Sequence, residues 1–190
     1  LAGRSETDYI ANSERLFRRA IAKLIYPEAR QLIEAHRAAG HSIAIISSAT
    51  PYQVLPAAKD LDIEHVYATD LEVEDGQFTG GVVQPTCFGI GKVHAAERFL
   101  AQQGGDLENC FFYSDSIDDI ELLETAGRPV VLNGSRELKK TAREAGWPMA
   151  DFSSRGNATG SQVARSLAAT GSLVGSFMMG LPLYALSGSR

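Results

Sequence analysis

The feature that most constrains this chain is a repeated alternation of a short apolar run, a turn of small polar residues and a helical stretch. Ser42–Ile46 (SIAII) leads through Ser47 and Ser48 into a helix opened by Thr50-Pro51. Residues 110–113 lead through SDSIDD into a helix over 118–126. Residues 129–132 lead into a helix over 135–145 that Gly146 stops. Uninterrupted apolar runs of this length suit strands covered on both faces, and strands alternating with helices pair in parallel. The pattern predicts an α/β fold, a Rossmann-like parallel sheet with helices on both faces. In such sheets ligands bind beyond the carboxyl ends of the strands. The turns after Ile46, Tyr113 and Leu132 are therefore the places to look for chemistry.

The rest of the chain extends this frame. Residues 5–24 place Ile10, Leu16, Phe17, Ile21 and Leu24 at helical spacing, and a second helix covers 27–39, from Pro27 to the stop at Gly40. A helix from Pro51 to about Asp60 precedes a strand within 63–69. Residues 71–73 and 77–83, joined across Asp75-Gly76, read as a β-hairpin that leaves the main sheet. Another helix spans 92–103. The expected division is a remnant of a helical cap at 1–24, an α/β core at 25–155, and a linker with a hydrophobic segment at 156–190.

Composition narrows the function classes. Hydrophobic residues make up 44% of the 190 and charged ones 22%, which excludes a chain that is disordered throughout. A net charge of −5 with no basic run excludes an electrostatic footprint for nucleic acid. Cys87 and Cys110 stand apart, without zinc-site spacing or the density of a secreted disulfide scaffold, so they read as reduced cytoplasmic thiols. Beyond Asn157 the only charges are Arg165 and Arg190, and residues 166–189 carry none. That run is long enough to cross a hydrocarbon layer, which needs about 20 residues. Its GxxxG spacing at Gly171 and Gly175 would let helices approach closely in lipid. The expectation is membrane contact through residues 166–186 at the inner face, with a buried packing helix as the alternative.

Three groups carry chemistry. Ser47 and Ser48 present hydroxyls and backbone N–H groups at the mouth of a helix, which suits a phosphate oxygen or, more plainly, a helix cap. Asp115, Asp118 and Asp119 crowd three carboxylates onto a strand end and the first turn of a helix. Their mutual repulsion is most simply relieved by a hard cation such as Mg²⁺, with an acidic helix cap as the plain alternative. Lys92 opens a helix, where the dipole disfavours a cation, so either an anion lies nearby or the side chain is solvated. The string GIGK is not a nucleotide loop, because Thr86 stands where that motif needs Gly and Val93 where it needs Ser or Thr.

Taken in order, the strand ending in Ser47, the helix-leading Lys92 and the strand ending in Asp115 with Asp119 four residues on resemble the second, third and fourth motifs of the haloacid dehalogenase superfamily. The phosphoserine phosphatase-like branch is the most similar, over about residues 20–150. The resemblance implies a Mg²⁺-dependent phosphomonoester hydrolase working through an aspartyl-phosphate intermediate on a small phosphorylated substrate. It implies that Ser47, Ser48, Lys92 and Asp118 face the phosphate and that Asp115 and Asp119 serve Mg²⁺. The family's first motif, D-x-D-x-T/V after the first strand, is missing from this chain; the only D-x-D, Asp60-Leu61-Asp62, lies at a helix end. The expectation is thus a fold truncated at its first strand and lacking the nucleophile. Asp118 departs from the neutral residue common in relatives. A non-catalytic regulatory or packing module is the alternative function. A response-regulator receiver also uses acidic residues, Ser/Thr and Lys, but in another order. Phosphatases of this branch also occur fused ahead of a membrane acyltransferase, which FSSRG and the uncharged tail resemble, although the acyltransferase's His-x₄-Asp motif is absent.

Overall fold

A computed structural model of the chain describes residues 1–152 and 183–186. Its strands are β1 (Ser42–Ile46), β2 (His65–Tyr67), β3 (Leu71–Glu74), β4 (Gln77–Val82), β5 (Cys110–Ser114), β6 (Arg128–Leu132), β7 (Met149–Ala150) and β8 (Leu183–Leu186). Six of them make one sheet in the order β2-β1-β8-β5-β6-β7, while β3 and β4 form the separate hairpin. The pairs β1–β2, β5–β6 and β6–β7 are parallel. The hairpin turns at Asp75-Gly76, both at positive φ, as a tight turn matched to strand twist requires.

The helices are α1 (Glu6–Leu16), α2 (Pro27–Ala38), α3 (Pro51–Asp60), α4 (Ile90–Gln103), α5 (Ile120–Thr125) and α6 (Arg136–Ala145). Strand periodicity assigns them to two faces. Ile43 and Ile45, with Phe111 and Tyr113, pack against Leu32, Ile33, Val54 and Ala58 of α2 and α3. The alternate residues Ala44, Ile46, Cys110 and Phe112 pack against Val93, Phe99, Leu122, Leu123, Leu138 and Ala142 of α4, α5 and α6. Both faces of β1 and β5 are covered, which is why these strands read as continuous apolar runs.

Three expectations are corrected. The helical run predicted over 5–24 breaks into α1, a π turn at Phe17–Ile21 and a 3₁₀ turn at Ala22–Leu24. Of its apolar set, Phe17 is buried, whereas Ile10 and Leu16 are 44% and 60% exposed. Tyr9 meets Tyr52 and Phe78 edge-on and Ala22 packs against the core, so the segment is held at separate points, and the wider π turn fits this lack of a continuous buried stripe. The helix predicted over 118–126 is a 3₁₀ turn at Ile117–Asp119 followed by α5.

The apolar helix predicted over 166–186 does not hold at its end, because residues 183–186 are β8. This strand runs antiparallel to β1 and to β5, an exception in an otherwise parallel sheet. Pro182 disfavours helix continuation, and the facing edges of β1 and β5 offer main-chain groups that a short strand satisfies on both sides. Residues 153–182 and 187–190 lie outside the described residues, as does most of the predicted membrane segment. Among the described residues no helix is long and apolar enough to cross a membrane.

Candidate active site at the carboxyl ends of β1 and β5

The register across β8 fixes where the site sits. Leu183 is the partner of both Ile45 and Tyr113, so Ser47 and Asp115, each two residues on, leave the sheet at the same level. They stand two strand spacings apart, about 10 Å.

Ser47 is 1% exposed. Its N–H continues the ladder to the Tyr67 carbonyl at 2.8 Å, and its Oγ accepts the Ala49 N–H at 3.1 Å, which tightens the turn and leaves the hydroxyl hydrogen to be donated. Ser48 is exposed on this turn. The predicted cap is Thr50, whose N–H and hydroxyl both donate to the Gln53 side-chain oxygen, at 3.1 and 3.0 Å.

Lys92 reaches the site because two glycines permit the start of α4. Gly89 has φ +52° and ψ −126°, a conformation that L side chains rarely adopt. At Gly91 a Cβ would lie 2.0 Å from the Thr86 carbonyl oxygen, so only glycine allows the first turn to lie this close to that loop. Lys92, two positions into α4, is turned inward and is 5% exposed. The solvated-lysine alternative is overturned. A buried ammonium at a helix N-terminus is doubly disfavoured, and Asp119, 2% exposed, compensates by an ion pair with it.

Asp119 is held on both oxygens. Oδ1 takes the Lys92 ammonium, and Oδ2 accepts the Ser114 hydroxyl at 2.6 Å. Ser114 Oγ in turn accepts the Ser116 N–H at 3.1 Å. Asp115 is half-buried at the end of β5, and its carbonyl accepts the Ser135 N–H at 3.2 Å, which ties this turn to the one after β6. Asp118 is exposed, and its carboxylate accepts the Ser116 hydroxyl at 3.2 Å while its N–H donates back to that oxygen. Two of the three carboxylates thus have partners of their own: Asp119 is paired with Lys92, and Asp118 with the Ser116 hydroxyl.

One thiol shows that these parts converge. Cys87 is 4% exposed; its N–H donates to Thr69 Oγ1 at 3.0 Å and its Sγ donates to the Tyr67 carbonyl at 3.7 Å. Burial pushes this thiol's pKa up; the Lys92 charge and a hydrogen bond from the Ser47 backbone pull it down, and Asp119 pushes it up again. The Ser47 N–H and the Cys87 thiol share the Tyr67 carbonyl, and the charges of Lys92, Arg98 and Asp119 all act on this thiol, which puts Ser47 and the ion pair in one neighbourhood. The sequence reading missed Cys87, Ser114 and Ser116 as parts of the site; the alternation of Ser with Asp in SDSIDD was the available signal. The D-x-D at Asp60 and Asp62 is structural, since Arg30 pairs with Asp60 and Arg37 with Asp62 at the end of α3.

Carboxylate oxygens are the donors Mg²⁺ takes, and that ion commonly uses one or two of them and keeps several waters. Asp115 and Asp119 fit that chemistry. With both Asp119 oxygens hydrogen-bonded, it suits holding a metal-bound water better than the metal itself. Among the described residues no group of three or more His, Cys, Asp or Glu is placed to hold an ion alone.

The profile of haloacid dehalogenase-like hydrolases matches residues 1–124. The chain belongs to this family. It is 35% identical over 153 residues to a phosphoserine phosphatase of Mycobacterium tuberculosis (80% of this chain, 49% of that protein). It is 34% identical over 132 residues to a histidinol-phosphatase of Neisseria meningitidis (67% and 60%). A protein of unknown function from Bordetella pertussis superposes with a TM-score of 0.74 at 32% identity, covering 80% of this chain and 69% of that one. The chain spans about half the length of the curated relatives it matches.

Proposed function

We propose that these residues form the phosphate- and metal-facing part of a Mg²⁺-dependent phosphomonoesterase. The observation that carries the reading is the buried Lys92–Asp119 ion pair, tied to the end of β5 by Ser114, beside which Ser47 and Asp115 leave the sheet at one level. The Ser47 hydroxyl would donate to a phosphoryl oxygen, with the Ser48 backbone beside it. Lys92 would share its charge between Asp119 and the phosphate. Asp115 would bind Mg²⁺, with Asp119 holding an ion-bound water. When bound, the ion would offset negative charge on the transferring group. Fixed donors and cations act in this way without reorganising when charge develops. Asp118, exposed and bonded to Ser116, is better suited to the rim than to direct phosphate contact.

The attacking carboxylate of the aspartyl-phosphate route is not among these residues. The one D-x-D in the sequence caps α3, so the nucleophile would come from another segment of the whole protein. The same observation favours a second reading, a phosphatase-like module without turnover. The chain's relatives act on different phosphate esters at nearly equal identity, so no particular ester is assigned.

The test is phosphate release from a panel of phosphomonoesters by the full-length protein, with and without Mg²⁺, beside Asp115→Asn. Expected is metal-dependent release that falls by about a hundredfold or more in the variant. Metal-independent release, or full activity in Asp115→Asn, would overturn the mechanism. A full-length protein that lacks a strand-end D-x-D and releases no phosphate would establish the second reading.

A further inference from the structure

Asp119 starts α5 from a 3₁₀ turn, and its two partners differ in rigidity. Lys92 reaches Oδ1 on a four-carbon stem, which can follow the carboxylate as it turns. Ser114 is the last residue of β5, paired with Val131 of β6 and 4% exposed, so its position is set by the sheet. Its Oγ accepts the Ser116 N–H, which directs the single hydroxyl hydrogen to Asp119 Oδ2 at 2.6 Å. A carboxylate with one mobile partner can rotate about its Cβ–Cγ bond; a second donor fixed to the sheet sets its plane.

We propose that Ser114 is a positioning residue: by fixing the Asp119 carboxylate, it holds Lys92 where a phosphate can share its charge. This rests on the reading of Lys92 and Asp119 given above. When an anion draws on the ammonium, the Ser114 hydrogen bond still partly satisfies the buried Asp119. Without that bond the carboxylate would claim Lys92 more fully and turn with it. The role explains why a hydroxyl, rather than any small side chain, is suited to this strand end.

The experiment uses the full-length protein with p-nitrophenyl phosphate and Mg²⁺, and reads inorganic phosphate binding by calorimetry alongside. In Ser114→Ala, kcat is expected to fall about tenfold or more, KM to stay within about twofold, and phosphate affinity to fall several-fold. Ser114→Thr, which restores the hydroxyl, recovers most of the loss. In an Asp119→Asn background, Ser114→Ala has little further effect, because the partner it acts through is already altered. Should the alanine variant fail to fold, Ser114→Cys replaces it and lies between wild type and the expected loss. Unchanged kcat and phosphate affinity in Ser114→Ala would overturn the inference, as would an equal loss in both backgrounds. If the wild type neither hydrolyses the ester nor binds phosphate, the reading of the site fails and this inference with it. If the wild type does both and Ser114→Ala matches it, the inference alone fails.

Discussion

Acid should destabilise this fold through one histidine far from the candidate site. His36, on α2, is 1% exposed; its Nδ1 lies 2.7 Å from His41 Nδ1 and its Nε2 lies 2.8 Å from the Tyr113 hydroxyl. The rings of Phe111 and Tyr113 meet it edge-on at 5.2 and 5.6 Å. Burial first, then the neighbouring His41, lowers the His36 pKa from 6.5 to about 3. Burial pushes the Tyr113 pKa up, so it stays a phenol able to donate to Nε2, and His41 is itself lowered by burial and by Arg128. The native state thus keeps His36 neutral while the unfolded chain takes up a proton below 6.5. With more protons bound by the unfolded state, stability falls as pH drops from 6.5 towards 3, by about 1.4 kcal/mol per pH unit. About 2 kcal/mol is therefore lost by pH 5 on this account alone. Urea unfolding of wild type and His36→Gln at pH 7.5 and 5.0 reads the difference, since titrations common to both proteins cancel. The stability gap between them should narrow by about 2 kcal/mol at the lower pH. A gap that stays constant would refute the reasoning.

Two further perturbations address the start of α4. Lys92→Met leaves Asp119 buried with Ser114 as its remaining partner, so urea unfolding should show a loss of about 3–5 kcal/mol, larger than that of Asp119→Asn. Gly91→Ala sets a methyl group 2.0 Å from the Thr86 carbonyl oxygen and should cost about 3 kcal/mol. Gly104→Ala, where φ is +70° but no atom lies within 4 Å, should cost only about 1 kcal/mol. Thermal unfolding of the two glycine variants separates close approach from backbone strain.

What could be read from the sequence is what local pattern determines. Ser42–Ile46 is legible to the residue, because Ile43–Ile46 are buried and the run is bounded by turn formers. The hairpin follows from Asp75-Gly76 and the end of α6 from Gly146; left-handed Gly104 ends α4 in the same way. The strand β7 could not be found, since two residues carry no periodicity and pair with β6 only in the assembled sheet. Nor could β8, whose partners lie some seventy and more than a hundred residues away. Its composition alone does not separate a strand from the end of an apolar helix. In the proposed site, the residue types that concentrate charge stand out in the sequence at Lys92, Asp115 and Asp119. The neutral residues that hold them were not, because Ser114 shows its purpose only once Asp119 is folded back against it.

The buried ion pair also bears on how a phosphate could bind. An isolated ammonium at the depth of Lys92 would be too costly to keep charged, and burial favours the neutral form of any lysine without a partner. Asp119 removes that penalty but, as a sole partner, would compete with an incoming anion for the same charge. Lys92 has three donors on its ammonium, so sharing does not require surrender. Asp119 tolerates a weaker hold because Ser114 and Lys92 divide its two oxygens. The spacing that places Asp119 four residues after Asp115 brings it back over the end of β5, where Ser114 can reach it. In the proposed site such an arrangement would keep a cation ready while leaving neither Lys92 nor Asp119 unpaired.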